Sequence, residues 1–109
     1  QQQLARVSRR ADWTEPQLLT LIAGFHAQSD WDRVVAFSEI YLKRFEDQQT
    51  TIGVNLAKIF LLKREAPRRA IEVVDQIAAS KRLTEGQRRE IKSIRIRSQQ
   101  LIDDGAIEL

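Results

Sequence analysis

The feature that most constrains this chain is an apolar period of about 3.6 residues, broken only where turn-forming residues sit. Leu18, Leu21, Ile22 and Phe25 recur at i, i+3, i+4 and i+7, the stripe of an amphipathic helix. Gln28-Ser29-Asp30 interrupts them, with Asp30 placed to cap the next helix. Trp31, Val34, Val35, Ser38, Tyr41 and Leu42 resume the period, and Phe37 and Phe45 widen the stripe, so this second helix is expected to pack on two sides. A third helix is predicted from about Gln48 to Lys63 around Ile52, Leu56, Ile59 and Phe60, with Leu61 and Leu62 beside them. Ala70, Val73, Val74 and Ile77 make the inner face of a fourth, and Ile91, Ile94, Leu101 and Ile102 that of a fifth.

The helix-breaking residues agree with this division. There are only four Gly and two Pro. Thr14-Glu15-Pro16-Gln17 reads as a capping box, with Pro16 in the first turn, where a missing N–H costs nothing. Pro67 opens the fourth helix in the same way. Thr84-Glu85-Gly86-Gln87 is a second capping box, and Gly105 stands just past the end of the last helix. Residues 2–11 could add a short leading helix around Leu4 and Val7. The predicted fold class is all-α, with helices near 15–28, 31–45, 48–64, 67–79 and 85–102.

A chain of 109 residues is one domain's worth and can bury about two-thirds of its unfolded surface. With no Cys, there is no disulfide framework, thiolate metal site or Cys nucleophile. No apolar run approaches the length needed to span a bilayer, and no signal peptide is visible after Gln1-Gln2-Gln3. The missing initiator Met suggests a piece of a longer protein, with targeting signals outside it. The expected location is the cytoplasm, or the cytoplasmic side of a membrane-attached parent.

Charge is unevenly placed. Residues 1–57 carry six basic and seven acidic side chains, residues 58–97 twelve basic against five acidic, and the last twelve residues only Asp103, Asp104 and Glu108. A basic half favours an acidic partner, whether peptide, nucleic acid or anionic lipid, although a solvated helix face gives the same pattern. Arg88, Arg89, Lys92, Arg95 and Arg97 cluster on the last helix, but Glu85 and Glu90 lie among them and no aromatic is interleaved for base stacking. Nucleic acid therefore ranks below protein as a partner.

Catalytic chemistry finds little support. His26 is the sole histidine, and position 22 is Ile, so a helical ligand pair is lacking; Asp30 serves better as a cap. The serines have no nucleophile-elbow glycines, and Glu46-Asp47 and Asp103-Asp104 lie at helix boundaries. No Gly-rich loop is present to cradle phosphate. No metal, cofactor or enzymatic activity is expected of this domain.

Sliding the chain on itself aligns Leu21, Ile22 and Phe25 with Leu56, Ala57 and Phe60 at a shift of 35, and Val34, Ser38 and Tyr41 with Ala70, Val74 and Ile77 at 36. In this spacing the chain resembles the tetratricopeptide repeat family over about residues 16–80. Leu56-Ala57, Phe60 and Ala70 match its pattern, whereas Ile22, Val34 and Ser38 depart from it, and the repeat-ending Pro is absent. The resemblance implies two antiparallel hairpins (14–46 and 47–80), a capping helix at 84–102 and a leader at 1–13. It also implies a concave groove lined by Leu19, Ala23 and His26 of the first hairpin and Thr51, Asn55, Lys58 and Leu62 of the second. Arg88 and Lys92 resemble the basic pair of the family's carboxylate clamp and Asn55 its asparagine, but Leu19 and Ala23 stand where that clamp needs Lys and Asn. A second resemblance, to the soluble helical tails of bacterial rhomboid-family membrane proteins, rests on Asn55-Leu56-Ala57-Lys58-Ile59, Pro67-Arg68-Arg69-Ala70-Ile71 and the ending 102–109. The expected function is non-catalytic protein–protein interaction, as an adaptor or accessory module taking a peptide or partner domain in the groove. A basic nucleic-acid-binding domain and a structural or oligomerisation unit are the alternatives.

Overall fold

The computed structural model describes residues 13–79 and 82–105, and among them every regular element is a helix. These are α1 (Glu15–Ala27), α2 (Trp31–Arg44), α3 (Gln49–Leu62), α4 (Pro67–Ala78) and α5 (Glu85–Asp103). The expected leading helix at 2–11 lies outside the described residues. Both capping boxes form: Thr14 Oγ1 accepts from the Gln17 N–H while the Gln17 side chain accepts from the Thr14 N–H, and Thr84 and Gln87 do the same. Asp30 caps α2 by accepting from the Arg33 N–H at 3.3 Å.

The chain divides between Glu46 and Asp47 into two compact units. In the first, α1 packs on α2. Leu18 and Ile22 of α1 and Val34, Ser38, Tyr41 and Leu42 of α2 are buried. Phe37 meets Trp13 edge-on at 5.8 Å and stacks on Phe25 at 5.4 Å, so it widens the face that α2 turns to α1. Two polar contacts fasten the open end of the hairpin. The Tyr41 hydroxyl donates to Glu15, and the Arg44 guanidinium to the Trp13 carbonyl, each at 2.5 Å. At the other end the chain reverses through Ser29, at φ 56°. The Ser29 N–H donates to the His26 carbonyl and the Asp30 N–H to that of Phe25, which is the Schellman pattern of a helix stop.

In the second unit, α3 packs on α4, α4 on α5, and α3 on α5. Nine of the fourteen residues of α3 are buried, making it the most enclosed helix of this unit. Glu65, at φ 51°, turns the chain from α3 into α4, and the Ala66 N–H closes the turn on the Phe60 carbonyl at 2.7 Å. Gly53 sets how closely α3 and α4 approach. A Cβ built there would stand 2.6 Å from Cγ2 of Ile77, a fully buried α4 residue. Ala70 is likewise fully buried, as its place on the inner face of α4 requires. On α5, Ile91, Ile94 and Ser98 face inward, and the Ser98 hydroxyl has no hydrogen-bond partner among the described residues.

Three substitutions probe this packing. In α1, Gly24 is exposed with open space where a Cβ would go, so Gly24→Ala should stabilise by about 0.5–1 kcal/mol through helix propensity. Gly53→Ala should instead cost about 1–3 kcal/mol, because the new methyl displaces Ile77 within a packed core. Pairing it with Ile77→Val should recover part of that loss in chemical denaturation. Ser98→Ala should raise stability by about 1 kcal/mol, since it removes a buried hydroxyl that makes no bond.

Candidate functional site

Burial selects the open surface of the second unit. Along α3, Thr51, Asn55 and Leu62 are exposed and Lys58 is half-exposed, while the residues around the rest of the helix are covered. Their spacing of four, three and four puts all of them on one side. The stripe ends in Leu62, which is 66% exposed and, among the described residues, the more exposed of the two large apolar side chains left open. Lys58 is not a free cation. Its ammonium pairs with the Glu90 carboxylate of α5.

The outer surface of α5 follows from its inner one. With Ile91, Ile94 and Ser98 inward, Glu90 lies on the flank that meets α3. Arg95 lies on the other flank and binds Asp75 of α4 at 2.6 Å. Arg88, Arg89 and Lys92 are exposed, and among the described residues none of them enters an ion pair. At about 100° per residue, Arg88 and Lys92 stand roughly 160° around α5 from Glu90. The structure therefore brings Thr51, Asn55, Lys58 and Leu62 together and turns Arg88 and Lys92 away from them. Leu19 is half-buried on α1, where Ala23 and His26 are exposed, and these three belong to the first unit. His26 rests edge-on against Trp31 at 5.2 Å. Among the described residues no three His, Asp or Glu side chains converge as metal ligands, and no helix is long and apolar enough to cross a membrane.

Sequence reasoning passed over Glu90 as the partner of Lys58, and Asp75 as that of Arg95. The signal was available, since a cation and an anion on facing helices meet whenever both flank the buried stripe. It also passed over Ile96, which lies off the Ile91–Ile94 stripe and is 50% exposed.

The sequence pattern of the AAA lid domain, a helical domain of AAA ATPases, matches residues 35–106. The chain belongs to the AAA lid domain family. No curated protein and no solved structure matches it. The family match overturns both resemblances read from the sequence, to tetratricopeptide repeats and to rhomboid tails. It starts at Val35, inside α2, and runs through α3, α4 and all of α5, so it cuts across the hairpins that a repeat would have as its units. The 35-residue period has a plainer origin. Two helices of 12–14 residues with short turns come back into register at about that distance in any helical hairpin series. In the lid domain, Leu56, Ala57, Phe60 and Ala70 are buried by the packing of α3, α4 and α5, with no repeat needed to explain them.

Both members of the Lys58–Glu90 pair are 45% exposed, so the solvent-screened value of a surface ion pair applies. A double-mutant cycle with Lys58→Ala and Glu90→Ala should give a coupling of about 0.2–1 kcal/mol that shrinks as salt rises. Lys58→Glu should destabilise the lid domain, and adding Glu90→Lys should restore it.

Proposed function

We propose that this chain serves as the lid of an AAA ATPase, that it makes and breaks no bonds itself, and that it acts by protein–protein contact with the ATPase module. The observation that carries this reading is the family match over residues 35–106. The second unit suits such a role physically. A lid that passes on the state of a nucleotide site has to move as one piece, and α5 is tied to α3 and α4 by buried Ile91 and Ile94 and by an ion pair on each flank. The contact surface in this reading is the open stripe of α3, with Leu62 as its apolar end and Thr51 and Asn55 as its polar part. An apolar side chain two-thirds exposed at the end of a mostly buried helix gains most from a partner that removes it from water. The partner is thus a protein surface and the compartment is one that supplies ATP, the cytoplasm.

The test has two arms. The isolated chain should hydrolyse no ATP in the presence of magnesium. When it is joined to its ATPase module, Leu62→Glu should lower the hydrolysis rate several-fold while the helical circular dichroism of the chain stays unchanged. Turnover by the isolated chain, or an ATPase indifferent to Leu62→Glu, would overturn the reading.

A further inference from the structure

The outward face of α5 carries a pattern that neither the fold nor the lid reading uses. Arg89, Lys92, Ile96, Gln99 and Asp103 succeed one another at steps of three, four, three and four along the nineteen-residue helix. That spacing sets them in a single row opposite the buried Ile91, Ile94 and Ser98. All five are exposed, and Ile96, the apolar member, sits in the middle at 50% exposure. The row is basic before Ile96 and acidic after it.

Within this row the charges also oppose the helix's own dipole. Apart from Glu85 in the first turn and Glu90, which is taken up by Lys58, the charged residues of the N-terminal half are cations, and the last turn holds Asp103 and no basic residue, with Asp104 next as the cap. Carboxylates at a helix C-terminus and cations toward its N-terminus are each mildly unfavourable in the isolated helix. Set antiparallel beside an identical helix, the same charges become favourable, because each end then lies beside the opposite end of its neighbour.

We propose that α5 pairs antiparallel with α5 of a second copy of this chain, about a two-fold axis at Ile96. Centring on Ile96 sets Arg89 of one copy against Asp103 of the other, twice, and Lys92 against Gln100, twice. The two Ile96 side chains meet on the axis. Such a contact is isologous and closes at two copies. Asp103 accepts a hydrogen bond from the Gln99 amide at 2.9 Å, and a carboxylate retains lone pairs for a guanidinium besides. A polyanion fits this face less well than a second copy does, since the basic run is only about three helical turns long and ends in acidic residues that repel a continuing phosphate chain. A single apolar anchor and two exposed ion pairs give weak association, on the order of 100 µM.

Sedimentation of the full chain at rising concentration in low salt tests this. The wild type should pass from monomer to dimer, with the transition moving to higher concentration as salt is added. Ile96→Glu should stay monomeric throughout. Arg89→Glu alone and Asp103→Arg alone should each weaken dimerisation at least tenfold, because both ion pairs become like-charge contacts. Mixing those two variants should restore it, since the heterodimer regains an attractive pair at both positions. Each substituted position is exposed, so every variant should keep the wild-type helical circular dichroism. A chain that is monomeric up to millimolar concentration overturns the proposal, as does a mixture that fails to rescue. Tight binding of a 20-base-pair DNA duplex by the monomer, lost on Arg89→Glu, would assign the face to nucleic acid instead.

Discussion

The second unit depends on the place where α3 and α4 come closest. Gly53 has no side chain, and Ile77 of α4 fills the space that one would occupy. That contact lets Leu56, Ala57 and Phe60 on α3 and Ala70, Val73 and Val74 on α4 come close enough to exclude water between the two helices. A glycine in the interior of a helix gives up roughly 1 kcal/mol of propensity relative to alanine. Here the closer packing offsets that cost. The α5 helix then needs only a short inner face, and its Ile91, Ile94 and Ser98 supply one.

Charge completes what apolar packing begins. The lid domain is rich in basic side chains over residues 58–97, yet two of these, Lys58 and Arg95, are drawn to carboxylates on neighbouring helices. Arg69 lies over the face of the nearly buried Phe60, 4.7 Å from the ring centroid, and so covers a core aromatic with its stem and head. A net-charge count treats all these residues alike. The structure separates cations that hold helices together from those that face solvent.

The helices were legible because the residues that end them are local. Thr14, Pro16, Asp30, Pro67, Thr84 and Gly105 each act within one turn, and the observed boundaries fall within two residues of the expected ones. The family was not legible in the same way. Apolar residues of a hairpin recur at a period set by helix and turn lengths, and that period is shared by repeats and by other helical folds, so Leu56, Phe60 and Ala70 could be placed in a core without revealing which one. Thr51, Asn55, Lys58 and Leu62 are named from the sequence only through the tetratricopeptide resemblance; what leaves them open on α3 is that the buried positions take up the rest of the helix. The pairing of Lys58 with Glu90 could not be read, because it depends on the register between two helices 32 positions apart in sequence. Gly53 carried no signal for a similar reason, since only the opposing helix shows why a side chain would not fit.

The aromatic residues are distributed in a way that makes the two units separately observable. Both tryptophans and the single tyrosine, Trp13, Trp31 and Tyr41, lie in the first unit, with Trp13 buried against Phe37 and Trp31 beside His26. The second unit holds more of the helix and, from Asp47 onward, neither tryptophan nor tyrosine. Intrinsic fluorescence therefore reports on α1 and α2 alone, whereas far-ultraviolet ellipticity is weighted toward α3, α4 and α5. The chain carries its own pair of spectroscopic labels, and the two signals distinguish whether its halves lose structure together or in turn.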